Sequence, residues 1–453
     1  MKRDIHEQLL AWKKDPNRKP LLVKGARQVG KTYSIQHFGN KEFEQLFYLN
    51  FDENPALKQF FQGSLDPKKI VRDLGYYFEK EIIPEKHLIF FDEIQECPEA
   101  LNCLKYFQEK APNYHLIGAG SLLGVKLSNT KGFPVGKVDF LELRPLNFLE
   151  FLTALSKNRL RELLQTKSDF EPIVEPIHTE LLSLLKFYFI VGGMPEAVAR
   201  FVSNQDDLLA VRKVQKNILD AYALDFAKHA PPGQVRKITT LWNSILAQLS
   251  KDNKKFTFST LGENARSREY EEAMQWLEDA GLILKVYRIT APKLPVDAYQ
   301  EAKAYKISLL DVGLLGTMAY LPPKIVVEGH RLFTEFKGAL AENFVAEELS
   351  NIFDKRLFYW SSSAQAEVDF ILPIDTELVP LEVKSGESKR KKSLQVYKEK
   401  YSPKLALRTS PMNFHLHDTF LNIPLYALSI IREQLIHDLK EAASHGTETV
   451  PSS

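Results

Sequence analysis

Gly25-Ala26-Arg27-Gln28-Val29-Gly30-Lys31-Thr32 decides the fold, because it satisfies the pattern Gly, four residues, Gly, Lys, Ser/Thr of a phosphate-cradling loop. Its flanks agree. Pro20-Leu21-Leu22-Val23-Lys24 reads as a short buried strand, and Tyr33 onward reads as a helix. The bare pattern arises by chance in on the order of one chain in a hundred of this length, so the strand and helix around it matter as much as the match. Together they aim backbone N-H groups and a helix N-terminus at one point, where the helix dipole favours phosphate oxygens. Lys31 would reach the β- and γ-phosphates of ATP, and the Thr32 hydroxyl would take one position on Mg²⁺.

Leu88-Ile89-Phe90-Phe91-Asp92-Glu93 supplies what such a loop lacks. Its apolar run is that of a strand buried on both faces, ending in two carboxylates. Asp92 is placed to hold the Mg²⁺ shell and Glu93 to polarise the attacking water. The plainer alternative is an acidic turn that ends a strand. Leu46 to Phe51, His115 to Ser121 and Val138 to Leu143 read as three further strands, and Leu101, Leu104 and Phe107 recur at helical spacing between two of them. Ser121, ending its strand, is either a sensor of the γ-phosphate or a simple turn serine. The alternation of strands and helices predicts an α/β parallel sheet with ligand at the carboxyl ends of its strands.

With these segments in view, the chain resembles a prokaryotic AAA-type ATPase family that carries a C-terminal domain catalogued as DUF4143. The resemblance rests on GARQVGKT, YLNFDENP, FFDEIQ, a strand ending in Gly120-Ser121, and ELRPLNFLEF. Further along it rests on Phe187 to Glu196 with its Gly192-Gly193-Met194-Pro195 signature, on Tyr305 to Leu315, and on Leu381-Glu382-Val383-Lys384-Ser385-Gly386. It implies ATP binding, a helical lid after the core, and a possible homo-oligomer. Members commonly carry a Gly-Arg pair before the fifth strand, where AAA-type enzymes often place an arginine that completes a neighbouring subunit's site. Here the pair is Gly136-Lys137. A lysine offers a point charge rather than a planar fork, so Lys137 would act in trans more weakly, or Arg144 would replace it.

Composition fits a multidomain globular protein. The chain has 453 residues, 44% hydrophobic and 26% charged, with a net charge of +2 that gives no general mandate for nucleic acid. No apolar run approaches the roughly twenty residues needed to cross a bilayer. Met1 to Glu7 continues into an amphipathic helix rather than a secretory leader. Cys97 and Cys103 have no metal-ligand companions and read as free thiols, so a cytoplasmic location with no membrane partner is expected. The expected division is 1–146 ATPase core, 147–235 helical lid, 236–325 winged-helix-like module, 326–440 nuclease-like domain and 441–453 disordered tail. Within the lid, Gly192-Gly193 is either a hinge or a helix C-cap with a turn.

The winged-helix-like module invites a DNA-reading hypothesis, but its would-be recognition helix carries Glu269, Glu271, Glu272, Glu278 and Asp279, which phosphates would repel. A structural or protein-contact role is therefore favoured there. In the last domain, Glu342 lies on a predicted helix, and Val368 to Leu372 and Val379 to Lys384 read as a strand pair. A period of two places Glu382 and Lys384 on one face, where Asp369 of the neighbouring strand can join them. This resembles the PD-(D/E)xK nuclease core. The resemblance implies Glu342, Asp369 and Glu382 as ligands of a second Mg²⁺ or Mn²⁺, with Lys384 orienting water or stabilising the phosphate. The alternative is an ion-paired sheet face that does not cut. Lys389-Arg390-Lys391-Lys392 could grip a phosphate backbone or be a solvated run. Three functions follow: an ATPase that licenses a nuclease acting on DNA, an ATP-dependent switch that binds DNA without cutting, and an ATPase that remodels a protein partner.

Overall fold

The apolar runs of the N-terminal third become the strands of one parallel sheet. In the computed structural model, which describes residues 1–125, 136–249, 255–262, 266–324, 331–353, 356–362, 366–374, 376–386, 392–432 and 435, these are β1 (Leu21–Lys24), β2 (Gln45–Asn50), β3 (His87–Asp92), β4 (His115–Ala119) and β5 (Asp139–Glu142). Their order is β2-β3-β4-β1-β5 and every pairing is parallel. All residues of β3 and β4 are buried, as strands covered on both faces must be. Helices α1 (Ile5–Lys14), α2 (Lys31–Glu42), α3 (Pro67–Tyr77) and α4 (Pro98–Lys110) accompany them. Leu46 and Leu88 meet α2 at Gly39, while Ile89 and Phe91 join a core with Leu74, Leu101 and Leu104 of α3 and α4. Each strand expected from the sequence is present, and the order brings β1 and β3 to either side of β4. The carboxyl ends of β1 and β3, where both motifs begin, therefore share one edge of the sheet.

The chain divides into two units, Met1–Pro145 with Gln275–Leu282, and Leu146–Met274 with Ile283–Ser453. The second unit begins with helices α5 (Phe148–Ala154), α6 (Asn158–Thr166), α7 (Glu175–Val191), α8 (Pro195–Ser203), α9 (Leu208–His229) and α10 (Val235–Leu249). Asn147 and Glu150 close a capping box that starts α5. At the end of α7, Gly192 adopts φ +68° and Gly193 donates to the Asp311 carboxylate at 2.6 Å and accepts from the Leu146 amide at 2.7 Å. Of the two readings of this glycine pair, the structure has the C-cap, packed so tightly that a Cβ on Gly193 would lie 2.0 Å from the Leu146 carbonyl.

Helix α11 (Ser267–Asp279) carries the acidic residues of the expected winged helix, and its last residues, with Gln275–Leu282, belong to the first unit. There a Cβ on Gly281 would lie 3.3 Å from the Ala26 amide, and one on Gly124 would lie 2.3 Å from the Asp279 carbonyl. Sequence patterning, which sees only the helical period, does not reveal that the end of this helix lies against the phosphate loop.

The remaining elements are β6 (Ile283–Ile289), β7 (Gln300–Leu309), α12 (Val312–Met318), α13 (Arg331–Ile352), β8 (Leu357–Ser361), β9 (Glu367–Ile374), β10 (Glu377–Val383), α14 (Lys392–Tyr401), β11 (Ala406–Ser410), β12 (His415–His417) and β13 (Phe420–Pro424). They build one mixed sheet in the order β12-β13-β11-β10-β9-β8-β6-β7. The hairpin β6-β7, expected as part of a separate module, is thus the end of the C-terminal sheet, because β6 pairs in parallel with β8. Such pairing removes an exposed strand edge that a free-standing hairpin would leave. Helix α13 packs on the sheet and on α7, with Phe344 5.6 Å from Tyr188 and 5.3 Å from Phe189 between ring centroids. Helix α14 packs through Tyr397 against Trp360 of β8. No described helix is long and apolar enough to cross a membrane. The basic run at 389–391 and the expected disordered tail 441–453 lie outside the described residues.

Candidate functional site

Two glycines set the phosphate loop. Gly30 holds φ +92° at the N-terminus of α2, and Gly25 holds φ +147° with its Cα against the Leu143 carbonyl, which a Cβ would meet at 2.1 Å. Neither conformation suits a residue with a side chain. Gln28 adds a positive φ of +67° between them, local strain of a kind that clusters at ligand sites. Val29 is buried and its carbonyl accepts from Arg3, whose other guanidinium nitrogen donates to the Arg144 carbonyl at 2.7 Å. Arg3 thus fastens the loop to Arg144, two residues past β5, a role that no local pattern announces.

Lys31 is buried and folds back over the loop, its ammonium donating at 2.8 Å to the carbonyls of both Gly25 and Ala26. Burial lowers its pKa to about 8, against the opposing pull of Glu93 and Asp92. The Thr32 hydroxyl donates to Asp92 Oδ2 at 2.7 Å, and Tyr48 of β2 donates to the same oxygen at 3.0 Å. Burial raises the Asp92 pKa, while these donors oppose that rise. Tyr48, whose own pKa is pushed up to about 12 by burial and by Asp92, escaped the sequence reading because it sits mid-strand among aromatics.

Glu93 leaves β3 in a left-handed conformation, φ +47°, which turns its side chain away from the strand direction. Gln95 donates to its Oε2 at 2.5 Å, and the Ser121 hydroxyl and amide lie 3.4 and 3.5 Å from the same oxygen. The structure therefore brings together Lys31, Thr32, Asp92, Glu93 and Ser121 as expected, and adds Tyr48 and Gln95. Arg27, within the loop, is exposed. Lys137 pairs with Glu109 at 3.1 Å, and Arg144 with Glu142 at 3.2 Å, so each candidate for the trans-acting cation has a partner within its own chain.

A second polar cluster lies on the C-terminal sheet. Strands β9 and β10 are antiparallel with Leu381 opposite Phe370, so Glu382 falls opposite Asp369 one step on and shares its face. Asp369 accepts from the Val383 amide at 2.8 Å, and Lys384 pairs with Glu382 at 2.8 Å. Lys306, which the sequence did not single out, places its ammonium 2.5 Å from Glu367, 3.8 Å from Asp369 and 3.9 Å from Glu342. Burial, with Glu342 nearby, raises the Asp369 pKa to about 7, though Lys306 opposes the rise. Burial alone would lower the Lys306 pKa, but Glu342, Asp369 and Glu367 hold it above its ordinary value. Among the described residues no group of three or more His, Cys, Asp or Glu side chains could hold a metal ion. The expected second metal set of Glu342, Asp369 and Glu382 is not shown: the Lys306 ammonium lies by Glu342 and Asp369, and Glu382 pairs with Lys384.

Residues 17–152 match the family described as an AAA domain (AAA_14), 182–324 a domain of unknown function (DUF8612), and 337–428 a further domain of unknown function (DUF4143). The chain carries an AAA domain followed by a C-terminal DUF4143 domain. No curated protein matches it significantly. Among solved structures, this AAA-type ATPase is similar to a Walker-type ATPase of Pyrococcus abyssi, at 15% identity and TM-score 0.44, over 70% of this chain and 95% of the other. It is also similar to the Orc1 protein of Aeropyrum pernix in complex with DNA, at 14% identity and TM-score 0.29, over 70% and 91% of the two chains. DnaA of Aquifex aeolicus bound to AMPPCP matches at 15% identity and TM-score 0.27, over 61% and 86%. The AAA domain, and with it the P-loop ATPase class, rests on the family match and on the parallel sheet with its loop.

Proposed function

We propose that this AAA-type ATPase binds Mg²⁺-ATP at the Gly25–Thr32 loop, hydrolyses it with Glu93 as general base, and uses the cycle to control a nuclease-like, DNA-interacting C-terminal domain. The observation that carries the ATPase reading is the pairing of Thr32 with Asp92 at 2.7 Å beside the buried Lys31 ammonium. These residues fit the cofactor: a hydroxyl and a carboxylate stand ready for Mg²⁺, and a buried cation donates to loop carbonyls that phosphate oxygens would outcompete. When bound, Mg²⁺ neutralises phosphate charge. Lys31 and the loop amides hold the β- and γ-phosphates, Glu93 takes the proton of the attacking water, and Ser121 lies on the Glu93 carboxylate where it can report the γ-phosphate. Lys137 or Arg144 would have to leave Glu109 or Glu142 to act across a homo-oligomer.

The test is phosphate release by the wild-type chain, Glu93→Gln and Lys31→Ala. Glu93→Gln should retain ATP with turnover reduced by roughly 10²-fold or more, and Lys31→Ala should weaken nucleotide binding. Normal turnover in both variants would sink the reading.

A second reading, an ATP-dependent switch or protein-remodelling ATPase with a C-terminal domain that does not cut, is favoured by the Lys306 ammonium among the acidic residues. Plasmid and single-stranded DNA incubated with Mg²⁺ or Mn²⁺, with and without ATP, separate the two. Cleavage lost in Asp369→Ala and Lys384→Ala selects the nuclease. A salt-dependent mobility shift without cleavage selects the switch, and no shift selects a protein partner.

A further inference from the structure

Lys306 reaches the acidic cluster from afar. It sits on β7, the last strand of the sheet, whereas Glu367 and Asp369 sit on β9, with β6 and β8 between. Its stem crosses Tyr359 of β8, the ammonium 4.9 Å from the ring centroid, and only 7% of its side chain is exposed. The long methylene chain buries itself on the sheet and delivers the charge beyond it. A lysine buried this deeply keeps its proton only if opposite charges surround it, and three carboxylates do.

We propose that Lys306 is the resident cation of the C-terminal site, its ammonium occupying the ground between Glu342, Glu367 and Asp369 that a divalent metal would need. The inference rests on reading this domain as nuclease-like, and it assigns the site a metal-free state. A divalent ion is held by oxygens at about 2.0–2.6 Å. The Glu367 oxygen already faces the ammonium at 2.5 Å, and a second cation beside it would meet like charge. Glu382 is neutralised separately by Lys384 at 2.8 Å, with its Oε2 buried and without a hydrogen-bond partner. Each half of the PD-(D/E)xK pattern thus has its own lysine.

The test uses the full chain with Asp92→Asn, which removes the carboxylate assigned to the ATP-bound ion. Free Mn²⁺ is followed by its electron paramagnetic resonance signal during titration. The Asp92→Asn chain should show no binding that a further Asp369→Asn substitution removes; such binding overturns the proposal, and this comparison needs no change at Lys306. Adding Lys306→Met, which keeps an unbranched stem and deletes the charge, should create Mn²⁺ binding at least roughly tenfold tighter than the detection limit set by the Asp92→Asn chain, lost again with Asp369→Asn. A Lys306→Met chain with native circular dichroism and no such gain overturns the proposal as well. A DNA mobility shift on the same samples reports the nuclease-like reading separately. If that reading alone fails, the Mn²⁺ results stand and no chain shifts DNA.

Discussion

The Gln95 side-chain amide donates to the Glu93 carboxylate at 2.5 Å, on the oxygen that also faces Ser121. Gln95 is itself wedged against the chain, since a Cβ on Gly120 would lie 1.9 Å from its Oε1. A carboxylate on a left-handed backbone that is to act as the proposed general base needs such a clamp to keep one rotamer. Gln95→Ala should therefore lower kcat for ATP by roughly tenfold while leaving the nucleotide Kd near wild type. Gly120→Ala, which displaces the same amide, should reproduce the effect. A kcat unchanged in both variants would remove Gln95 from the site.

Lys31 makes nucleotide affinity depend on pH in a defined window. Its pKa is lowered from 10.5 to about 8 by burial, so the nucleotide-free chain loses this charge as pH rises through 8. Phosphate favours the protonated form, and linkage then requires affinity to be greatest below pH 8 and to fall above it, by up to roughly tenfold per unit until the bound-state pKa is reached. Isothermal titration with a non-hydrolysable ATP analogue from pH 6.5 to 9.5 measures this, and proton uptake on binding near pH 8.5 should accompany it. Lys31→Arg, charged throughout, should show a flat profile. A wild-type profile as flat as that of the arginine variant would refute the assignment.

What the sequence made legible was local. The phosphate loop, Asp92, Glu93 and all five strands of the parallel sheet could be read because apolar runs, glycines and paired carboxylates are neighbours along the chain. Residues that act across the fold could not. Arg3 reaches Val29 and Arg144, Tyr48 reaches Asp92 from the adjacent strand, and Lys306 crosses two strands to Glu367. None of these pairings leaves a trace in spacing. Gln95, two residues after Glu93, was the exception that could have been found, as the polar residue nearest the base in a buried turn. Residues 236–325 were read as a winged-helix-like module because the partner of β6, strand β8, lies some seventy residues downstream, beyond any local period.

Gly193 tests how rigid the junction after α7 is. Its missing Cβ admits the Leu146 backbone, which a methyl group would meet at 2.0 Å, and its amide and carbonyl are both used, by Asp311 and Leu146. Gly193→Ala should destabilise the second unit by about 2–4 kcal/mol, because backbone rather than a flexible side chain must move. Urea unfolding followed by tryptophan fluorescence measures the loss. If the pair were a free hinge, the alanine would cost well under 1 kcal/mol.

Asp311 ties the same junction to pH. Fully buried, it accepts from Gly193 at 2.6 Å and from Leu314 at 2.8 Å, with Arg212 and Glu347 facing it, and burial raises its pKa from 3.8 to about 6. The folded chain thus prefers the protonated form more than the unfolded chain does. This contribution is fully present below about pH 4 and is lost as pH rises through 6, a change on the order of 3 kcal/mol. Glu347 is likewise held well above its ordinary pKa by burial, and it is present in both wild type and Asp311→Asn, so the difference between them isolates Asp311. Asp311→Asn removes the titration but also turns an amide toward a backbone donor, so it should destabilise at every pH. The pH dependence carries the argument: the gap between wild type and Asp311→Asn should narrow as pH rises from 4.5 to 7. A gap that widens over this range would mean that the carboxylate is ionised in the fold and that its hydrogen bonds to Gly193 and Leu314 outweigh its burial.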